Sequence, residues 1–372
     1  LADLFDIARV CDTLEHIHFF QRSIVCRDLE DVREMDFNTC YASLAGTRKH
    51  VGTSFSFPEN VDEVLRMLHL ISGGEKKWRE RPFVSMSCCF VIPPLKFAED
   101  ASACLEAGVK GGIPILLLSA GQAGATSPAT LARCVVQSVA EVLAGLVYVN
   151  AIQEGAPAIF GTWPFVSDLR TGAMSGGSGE QAILMAACGQ MALFYNLPSG
   201  IAAGMTDSKI PDAQSGYEKG YTVSLAGHSG ANLIYESAGM HASLLGCCLE
   251  SYVIDNDMLG AINRSIRGIE INTETLGIDP IRDVCLAGPG HYLGHEQTLK
   301  RMQSDYLYPI VGDRENINNW IEQGSTDSIQ RAHQKLQEIL KSHYPRNWDE
   351  DTDRKIREQF PVRLSKNRMQ LL

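Results

Sequence analysis

The sequence predicts an α/β protein in which helices cover a parallel sheet. Short apolar runs that end in Gly, Ser or polar residues alternate along the chain with segments of helical periodicity. The apolar runs do not alternate with polar residues, which is typical of strands buried on both faces. Repeated strand and helix alternation of this kind favours parallel strands joined by helical crossovers. With 372 residues, of which 45% are hydrophobic, the chain can also bury a large core.

Each predicted element follows from its local pattern. We place strands at 51–57, 83–92, 113–119, 158–163, 200–205 and 231–236, and helices at 60–71, 96–107, 129–150, 180–195 and 212–228. The clearest helix is 129–150, in which Leu131, Val135 and Val139 begin an apolar series at spacings of three and four.

Polar residues that precede three of these helices predict N-caps. Ser127 stands before Pro128, and we expect Ser127 to cap the helix and Pro128 to be its first residue. Ser178 ends a glycine-rich stretch and Asp212 follows a loop, and we expect both to cap the helices that start after them.

The composition changes near residue 313. Residues 1–312 carry the strand and helix alternation, whereas 313–372 are polar and helical. A narrow apolar stripe in the second part predicts a helical extension that packs on the outside of the α/β domain. The stripe consists of Ala332, Leu336, Ile339 and Leu340.

Charge and hydrophobicity exclude several classes of partner. The net charge is −11 and no Lys/Arg cluster occurs, so we expect neither nucleic acid nor an anionic membrane as a partner. Apolar runs such as 112–118 are far shorter than the ~20 residues that span a bilayer, and the N-terminus lacks the features of a signal peptide. We therefore expect a cytoplasmic protein.

The eleven cysteines predict buried thiols and no metal. They are scattered in apolar segments or adjacent, as in Cys88–Cys89 and Cys247–Cys248, and no CxxC spacing occurs. His291 and His295 are four residues apart, but the glycines and proline around them disfavour a helix and no third ligand is evident. We expect no metal bound by the chain.

Candidate site residues follow the apolar runs, because ligands of parallel α/β proteins bind at the carboxyl ends of the strands. Those with a predicted role are Phe90, Gln122, Trp163, Phe165, Asp207, Tyr235 and Glu236, together with His291 and His295 of a late loop. None of them forms a nucleophile and base pair that the sequence identifies. GHSG at 227–230 does not fit the GxSxG pattern of a hydrolase.

Two interpretations stay open for most of these residues. The four aromatic residues at strand ends form either a cage for a quaternary ammonium, which ring faces attract, or caps of the core. Glu236 needs either a cationic substrate or a structural Arg, since an unpaired carboxylate is costly to bury. Asp207 either pairs with Lys209 to hold its loop or contacts the substrate.

Four stretches closely resemble the trimethylamine methyltransferase superfamily. They are GMTDSKIPDAQSGYEK (204–219), TSPATLARCVVQSVAEVLAGLV (126–147), GANLIYESAG (230–239) and GPGHYLGHEQT (288–298). The resemblance covers most of the chain and implies that the α/β domain is a (β/α)8 TIM-type barrel. Family members carry a further N-terminal segment, whereas this sequence starts with Leu1. We therefore expect that a strand or a site loop lies outside the given sequence.

The resemblance also implies a function. The superfamily contains archaeal enzymes that use pyrrolysine and a branch without it that includes glycine betaine methyltransferase; this chain has only standard residues and resembles the second branch. That implies methyl transfer from a quaternary amine or methylamine to the Co(I) centre of a corrinoid (cobalamin) protein, with no cofactor bound by the chain itself, and a homo-oligomer. From the residues themselves we predict that Glu236 and His291 are catalytic and that the other candidates bind the substrate. Glu236 would contact the cation unless an Arg pairs with it, and His291 would orient a substrate carboxylate.

Two alternatives remain at this point. One is a zinc-dependent thiol methyltransferase on a similar barrel, and the absence of His and Cys residues at ligand spacing disfavours it. The other is a non-catalytic module that binds a quaternary amine or a corrinoid protein.

Overall fold

The computed structural model describes residues 1–370. Its strands are β1 Phe19–Gln21, β2 His50–Thr53, β3 Val84–Cys88, β4 Val91–Ile92, β5 Lys96–Phe97, β6 Ile115–Ser119, β7 Gln122–Ala123, β8 Ala158–Thr162, β9 Phe165–Val166, β10 Gly200–Ala202, β11 Leu233–Tyr235, β12 Met240–His241 and β13 Gly246–Cys247. Its α-helices are α1 Ala2–Thr13, α2 Val32–Gly46, α3 Pro58–Ser72, α4 Glu75–Glu80, α5 Glu99–Lys110, α6 Leu131–Ile152, α7 Gly179–Phe194, α8 Ala213–His228, α9 Leu249–Arg267, α10 Asp279–Arg282, α11 Glu296–Arg301, α12 Ile317–Glu322, α13 Ser328–Ser342 and α14 Glu350–Gln359.

The long strands are parallel and follow one another in chain order, which confirms the α/β prediction. A five-stranded sheet has the order β1-β2-β3-β6-β8, and β10 pairs with β11 in parallel. A bridge between Phe160 and Ser199 joins the two parts. β6 is buried along its whole length because helices cover it, as expected for a parallel sheet.

The series of strands curves so that its first and last members approach each other. Phe19 of β1 and Tyr235 of β11 meet edge to face, with ring centroids 4.9 Å apart. Across residues 1–370, however, no strand pairing joins β11 to β1. A closed eight-stranded barrel is therefore not confirmed, although the parallel sheet is.

The predicted elements are recovered with shifted boundaries. Each of the six predicted strands overlaps an observed one, but residues 54–57 and 203–205 leave the sheet and form loops. Residues 91–92 form β4, which pairs with β5 and not with the five-stranded sheet. The prediction missed β1, since three residues are too few to show a periodicity.

Two of the three predicted N-caps are confirmed. Ser178 accepts a hydrogen bond from the Gln181 amide, and Asp212 accepts one from the Ser215 amide at 2.9 Å. The prediction for Ser127 was wrong, because α6 begins at Leu131 and Ser127 closes a turn with the Gln122 carbonyl.

Helix α13, in the C-terminal part of the chain, packs on the outer side of the helices that cover the sheet. Ala332, Leu336 and Ile339 of its predicted stripe are buried, and the helix lies against α9 and α1. The Arg9 guanidinium donates to the carbonyl groups of Leu340 and His343 and fixes the end of α13. The division of the chain at residue 313 stays a prediction.

Helix α6 is long and apolar enough to cross a membrane by length and composition alone, the one such helix among the described residues. This is weak evidence, since core helices of soluble proteins pass the same test. Here α6 packs against β6, β8 and α7. Its Glu141 is buried and accepts hydrogen bonds from the Ser119 hydroxyl and the Leu95 amide.

Candidate functional site

A cavity of about 390 Å³ lies where the strand pairing is open. Strands β1 and β11 form two of its walls, and residues of α1, α8 and α9 form the rest. At the carboxyl ends of the two strands it is lined by Gln21, Ser23, Glu236 and Ser237. At their amino ends it is lined by His18, Ala231 and Asn232, so this β1–β11 cavity runs along both strands and includes the carboxyl ends, where parallel α/β proteins place their ligands.

Glu236 is the acidic residue of this cavity. It is half-buried, and the loss of water around its carboxyl raises the pKa to about 7, a shift that the charge of Arg22 opposes only in part. Within the described chain its carboxylate has no hydrogen bond and no ion pair within 4.0 Å, so Arg22 is not the structural partner that the sequence left open. A proton or a cationic ligand would neutralise it.

The backbone of Glu236 is strained. Its φ of 63° lies in the left-handed region, which residues other than glycine seldom adopt, and it comes directly after the last residue of β11. Such strain costs of order 1–3 kcal/mol and concentrates at ligand sites. The conformation turns the chain at the point where the carboxylate enters the cavity.

Aromatic rings form a row that starts at the cavity wall. Tyr235 lies 5.5 Å from Trp163, and Trp163 lies 6.3 Å from Phe165, measured between ring centroids. The Trp163 indole donates to the Gly200 carbonyl at 2.7 Å, which fixes its orientation. Three of the four predicted aromatic residues thus come together, but Tyr235 lines the cavity whereas Trp163 and Phe165 lie behind it. Phe19, which the sequence analysis missed along with β1, extends the row and also lines the cavity.

Phe90 and Gln122 do not line the cavity. Phe90 packs edge to face on Phe97 and against α6, where a Cβ at Gly145 would lie only 2.2 Å from its ring. Gln122 stands beside Phe165 in the short β7–β9 pair, and its side-chain oxygen accepts a hydrogen bond from Ser167. Gln122 therefore lies near the far end of the aromatic row.

Asp207 ties loops together. Its carboxylate accepts hydrogen bonds from the hydroxyl groups of Ser175 and Ser243, which belong to the loops after β9 and β12. The expected ion pair with Lys209 does not form, because the Lys209 ammonium contacts the carbonyl oxygen of Asp207 instead. Asp207 thus fixes the loops at the carboxyl end of β10.

Two buried charges support these loops, and the sequence analysis gave neither a role. Glu218 accepts hydrogen bonds from the Thr206 hydroxyl and the Asp207 amide. Lys219 forms a buried ion pair with Asp255 at 2.6 Å, and Asp255 also accepts from the Gly239 amide. Adjacent Glu and Lys residues inside a helix gave no sign that both would be buried.

His291 and His295 lie outside the cavity. Both belong to the segment between α9 and α12, where His291 is exposed and His295 caps α11 by accepting a hydrogen bond from the Gln297 amide. The structure does not bring either imidazole to the site of its own chain.

No group of three or more His, Cys, Asp or Glu side chains that could hold a metal ion occurs in the described part of the chain. Cys89 and Cys285 are exposed, Cys247 and Cys248 are partly exposed, and the other cysteines are buried. The expectation that the chain binds no metal stays a prediction.

The arrangement suits a small organic cation. A carboxylate without a partner supplies the opposite charge, and ring faces next to it attract a cation that has no N–H group to donate. The described residues that line the cavity include no lysine or arginine that would compete for Glu236.

Comparison with known proteins agrees with this chemistry. A sequence model of the family described as trimethylamine methyltransferase (MTTB) matches residues 1–367. Trimethylamine methyltransferase MttB of Methanosarcina barkeri (strain Fusaro) is 34% identical over 343 residues, which are 92% of this chain and 68% of that protein. Glycine betaine methyltransferase of Desulfitobacterium hafniense (strain Y51) is 30% identical over 359 residues, 96% of this chain and 74% of the relative. The chain therefore belongs to the trimethylamine methyltransferase family, and it is an enzyme, a methyltransferase.

Proposed function

We propose that this methyltransferase takes a methyl group from a quaternary amine of the betaine type, or from a methylamine, and transfers it to the Co(I) centre of a separate corrinoid protein. The observation that carries the proposal is Glu236, a carboxylate without a partner that lies in a cavity beside a row of aromatic rings. The names of the relatives, trimethylamine and glycine betaine methyltransferase, support this class of substrate.

The reaction balances without a proton when the donor is a quaternary amine. The N–CH₃ bond breaks and its electron pair stays on nitrogen, which leaves as a neutral tertiary amine. The methyl carbon bonds to the acceptor Co(I), which becomes Co(III). The chain then has to hold the donor, orient the methyl group towards the acceptor and exclude water.

The side chains divide this task. Glu236 offsets the positive charge of the bound donor, and Tyr235, which Trp163 supports from behind, supplies aromatic surface for its methyl groups. Asp207 holds the surrounding loops in place through Ser175 and Ser243. Substrate contacts by Phe90, Phe165, Gln122, Asp207, His291 and His295 stay predictions.

Several further features belong to the same proposal. A (β/α)8 barrel is supported by the chain order of the parallel strands and by the approach of Phe19 to Tyr235. The acceptor corrinoid would arrive on its own protein at the carboxyl end of the sheet, so the chain would carry no resident cofactor. A cytoplasmic location and the division into 1–312 and 313–372 complete the proposal.

The activity can be tested in two steps. Thermal-shift measurements with trimethylamine, glycine betaine, carnitine, choline and proline betaine should identify at least one amine that raises the melting temperature. That amine should then methylate Co(I), measured by the absorbance of methyl-Co(III) with free cob(I)alamin and with a reduced corrinoid protein. An amine that binds but methylates neither acceptor would favour the non-catalytic module. Stoichiometric zinc, with activity lost on chelation, would favour the thiol methyltransferase.

Trp163 offers a test of the aromatic row. We expect Trp163→Ala to weaken amine binding by about 1–2 kcal/mol and Trp163→Phe to retain part of the affinity, because attraction by a ring face survives the second change. Calorimetric titration gives both values.

The matched control is Trp78→Phe. The Trp78 indole also donates to a glycine carbonyl, that of Gly111, but it lies on α4, where its ring packs against Phe83 and not against Tyr235. Both Trp→Phe variants should lose similar stability, whereas only the change at Trp163 should affect binding. Unchanged affinity in both Trp163 variants would remove this residue from the site.

A further inference from the structure

Three polar side chains around the β1–β11 cavity lack a partner in residues 1–370. The Glu236 carboxylate, described above, is the first. The second is the Arg22 guanidinium, which makes no hydrogen bond and no ion pair within 4.0 Å. The third is the Ser23 hydroxyl, which is buried and makes no hydrogen bond, although the Tyr252 phenol is close to it. Polar groups without a partner at a cavity are sites that a ligand can complete.

Arg22 stands at the end of β1 and Glu236 at the end of β11. Arg22 directly follows the last residue of β1, and its amide donates to the Gly52 carbonyl of β2 at 3.0 Å, so its backbone is fixed. Glu236 directly follows the last residue of β11. The two strands approach each other at Phe19 and Tyr235, whose ring centroids are 4.9 Å apart. The guanidinium and the carboxylate therefore belong to opposite sides of one opening.

The charge of Arg22 is opposite to that of Glu236 but does not neutralise it. Burial raises the pKa of the Glu236 carboxyl, and the charge of Arg22 opposes that rise, so the two groups sense each other. They are nevertheless more than 4.0 Å apart. Acidic residues outnumber basic ones in this chain, 44 to 33, and yet the half-buried Arg22 pairs with none of those in residues 1–370. Two opposite charges with a gap between them are complementary to a ligand that carries both charges.

From these observations we propose that Arg22 and Ser23 bind the carboxylate of a zwitterionic methyl donor while Glu236 holds its quaternary nitrogen, so that the enzyme selects betaines over simple cations. In glycine betaine a single methylene group separates the two charged groups. The molecule can therefore lie across the opening with each charge next to its counterpart. A guanidinium binds a carboxylate through two parallel N–H groups, and the Ser23 hydroxyl can donate a further hydrogen bond.

This role of Arg22 rests on the proposed function and assigns the two ends of its substrate to named residues. The sequence predicted that His291 orients a substrate carboxylate, but that imidazole lies outside the cavity of its own chain. Arg22 carries a permanent positive charge and stands at the edge of the cavity, between Gln21 and Ser23, which both line it. The structure thus offers a residue for the task that the sequence gave to a distant loop.

Two amines with the same trimethylammonium group provide the test. Glycine betaine carries a carboxylate, and choline carries a hydroxyl group in its place. Titration calorimetry should compare them at pH 8.5, because loss of Arg22 would raise the pKa of Glu236 further, and at lower pH a proton would then compete with either amine. We expect the wild-type protein to bind glycine betaine at least about 10-fold more tightly than choline.

Arg22→Gln should weaken the binding of glycine betaine about 10- to 100-fold, since charge-assisted hydrogen bonds are lost. It should bind choline no less tightly than the wild type does, because it removes a like charge near the cation. Arg22→Lys keeps the charge without the two parallel N–H groups, so its affinity for glycine betaine should be intermediate. The matched control is Arg27→Gln. Arg27 is exposed in the same loop and has no ion pair within the described chain, so both affinities should stay unchanged.

The pair of amines separates carboxylate binding by Arg22 from a structural role. A structural role would lower the affinity of Arg22→Gln for both amines, and an unchanged affinity for glycine betaine would show that Arg22 does not touch the carboxylate. Either result, or a wild-type protein that prefers choline, would overturn the proposal. Methyl transfer to cob(I)alamin from whichever amine binds would leave the proposed function intact in those cases. If no methylated amine binds the wild-type protein, the proposed function is wrong, and this role of Arg22 is wrong with it.

Discussion

Replacing Glu236 with Gln should lower kcat/KM for methyl transfer about 100-fold and remove the pH dependence of amine binding. The pKa of the carboxyl is raised to about 7 by burial, so a proton competes with the cationic substrate below that pH. Affinity of the wild-type protein should therefore rise about tenfold per pH unit up to about pH 7 and then level off. Gln has the same shape but no charge, so its affinity should be low and independent of pH.

Titration calorimetry between pH 5.5 and 8.5 measures this effect directly, and the methyl transfer assay gives kcat/KM. Glu338→Gln is the control, because Glu338 is an exposed carboxylate on α13 that pairs only with Lys335. The two variants should differ in both measurements. If Glu236→Gln binds the amine as tightly as the wild type and follows the same pH profile, Glu236 is not the cation-binding group.

The same substitution should stabilise the folded protein at high pH. The folded-state pKa of Glu236 is raised above its ordinary value of 4.5, so the folded protein holds this proton to higher pH than the unfolded chain does. The free energy of unfolding therefore falls as the pH rises from about 4.5 to about 7, by at most about 3 kcal/mol. Glu236→Gln removes this loss. Its melting temperature should exceed that of the wild type at pH 8 but not at pH 4.5, where both side chains are neutral.

Lys219→Met should destabilise the fold by about 3–5 kcal/mol. The substitution leaves Asp255 buried without a cation, and an uncompensated buried charge costs far more than the ion pair contributes. Urea unfolding followed by circular dichroism measures the loss. Glu218, the neighbour of Lys219 on α8, holds the loop of Asp207, so amine binding should weaken as well.

A double variant separates the unpaired charge from other effects. Lys219→Met/Asp255→Asn removes both charges and keeps an oxygen that accepts from the Gly239 amide. We expect it to be more stable than Lys219→Met alone. Lys110→Met is the control, because Lys110 pairs with Glu106 at the surface and such pairs contribute about 0.2–1 kcal/mol. A loss for Lys219→Met no greater than for Lys110→Met would contradict the prediction.

The elements that the sequence predicted correctly are those set by nearby residues. Helix α8 begins after Asp212 because that carboxylate accepts a hydrogen bond three residues ahead, and α7 begins after Ser178 for the same reason. Ser127 resembles them in sequence. It does not cap α6, because its backbone amide donates to the Gln122 carbonyl in a turn that ends before the helix begins. The sequence pattern does not predict that turn.

For the candidate site, too, the sequence located some residues correctly and others not. The rule that ligands bind at strand ends selected Trp163, Tyr235 and Glu236. The rings of Trp163 and Tyr235 meet because β8, β10 and β11 are parallel and follow one another in space. The rule also selected Phe90, which follows β3. The position of Phe90 depends on how the chain turns after that strand, and the turn places its ring against Phe97 and α6.

By itself, then, the sequence determined the α/β class, the approximate bounds of α3 and α5–α8, and the family, because each depends on residues close together in the chain or on a long motif. Only the tertiary structure decided that the strand pairing stays open between β11 and β1 and that Lys219 meets Asp255, 36 residues away. It also placed His291 and His295 outside the cavity, in the segment between α9 and α12. The physical reason is that burial and pairing between distant segments depend on how the whole chain packs, and a local pattern does not record that packing.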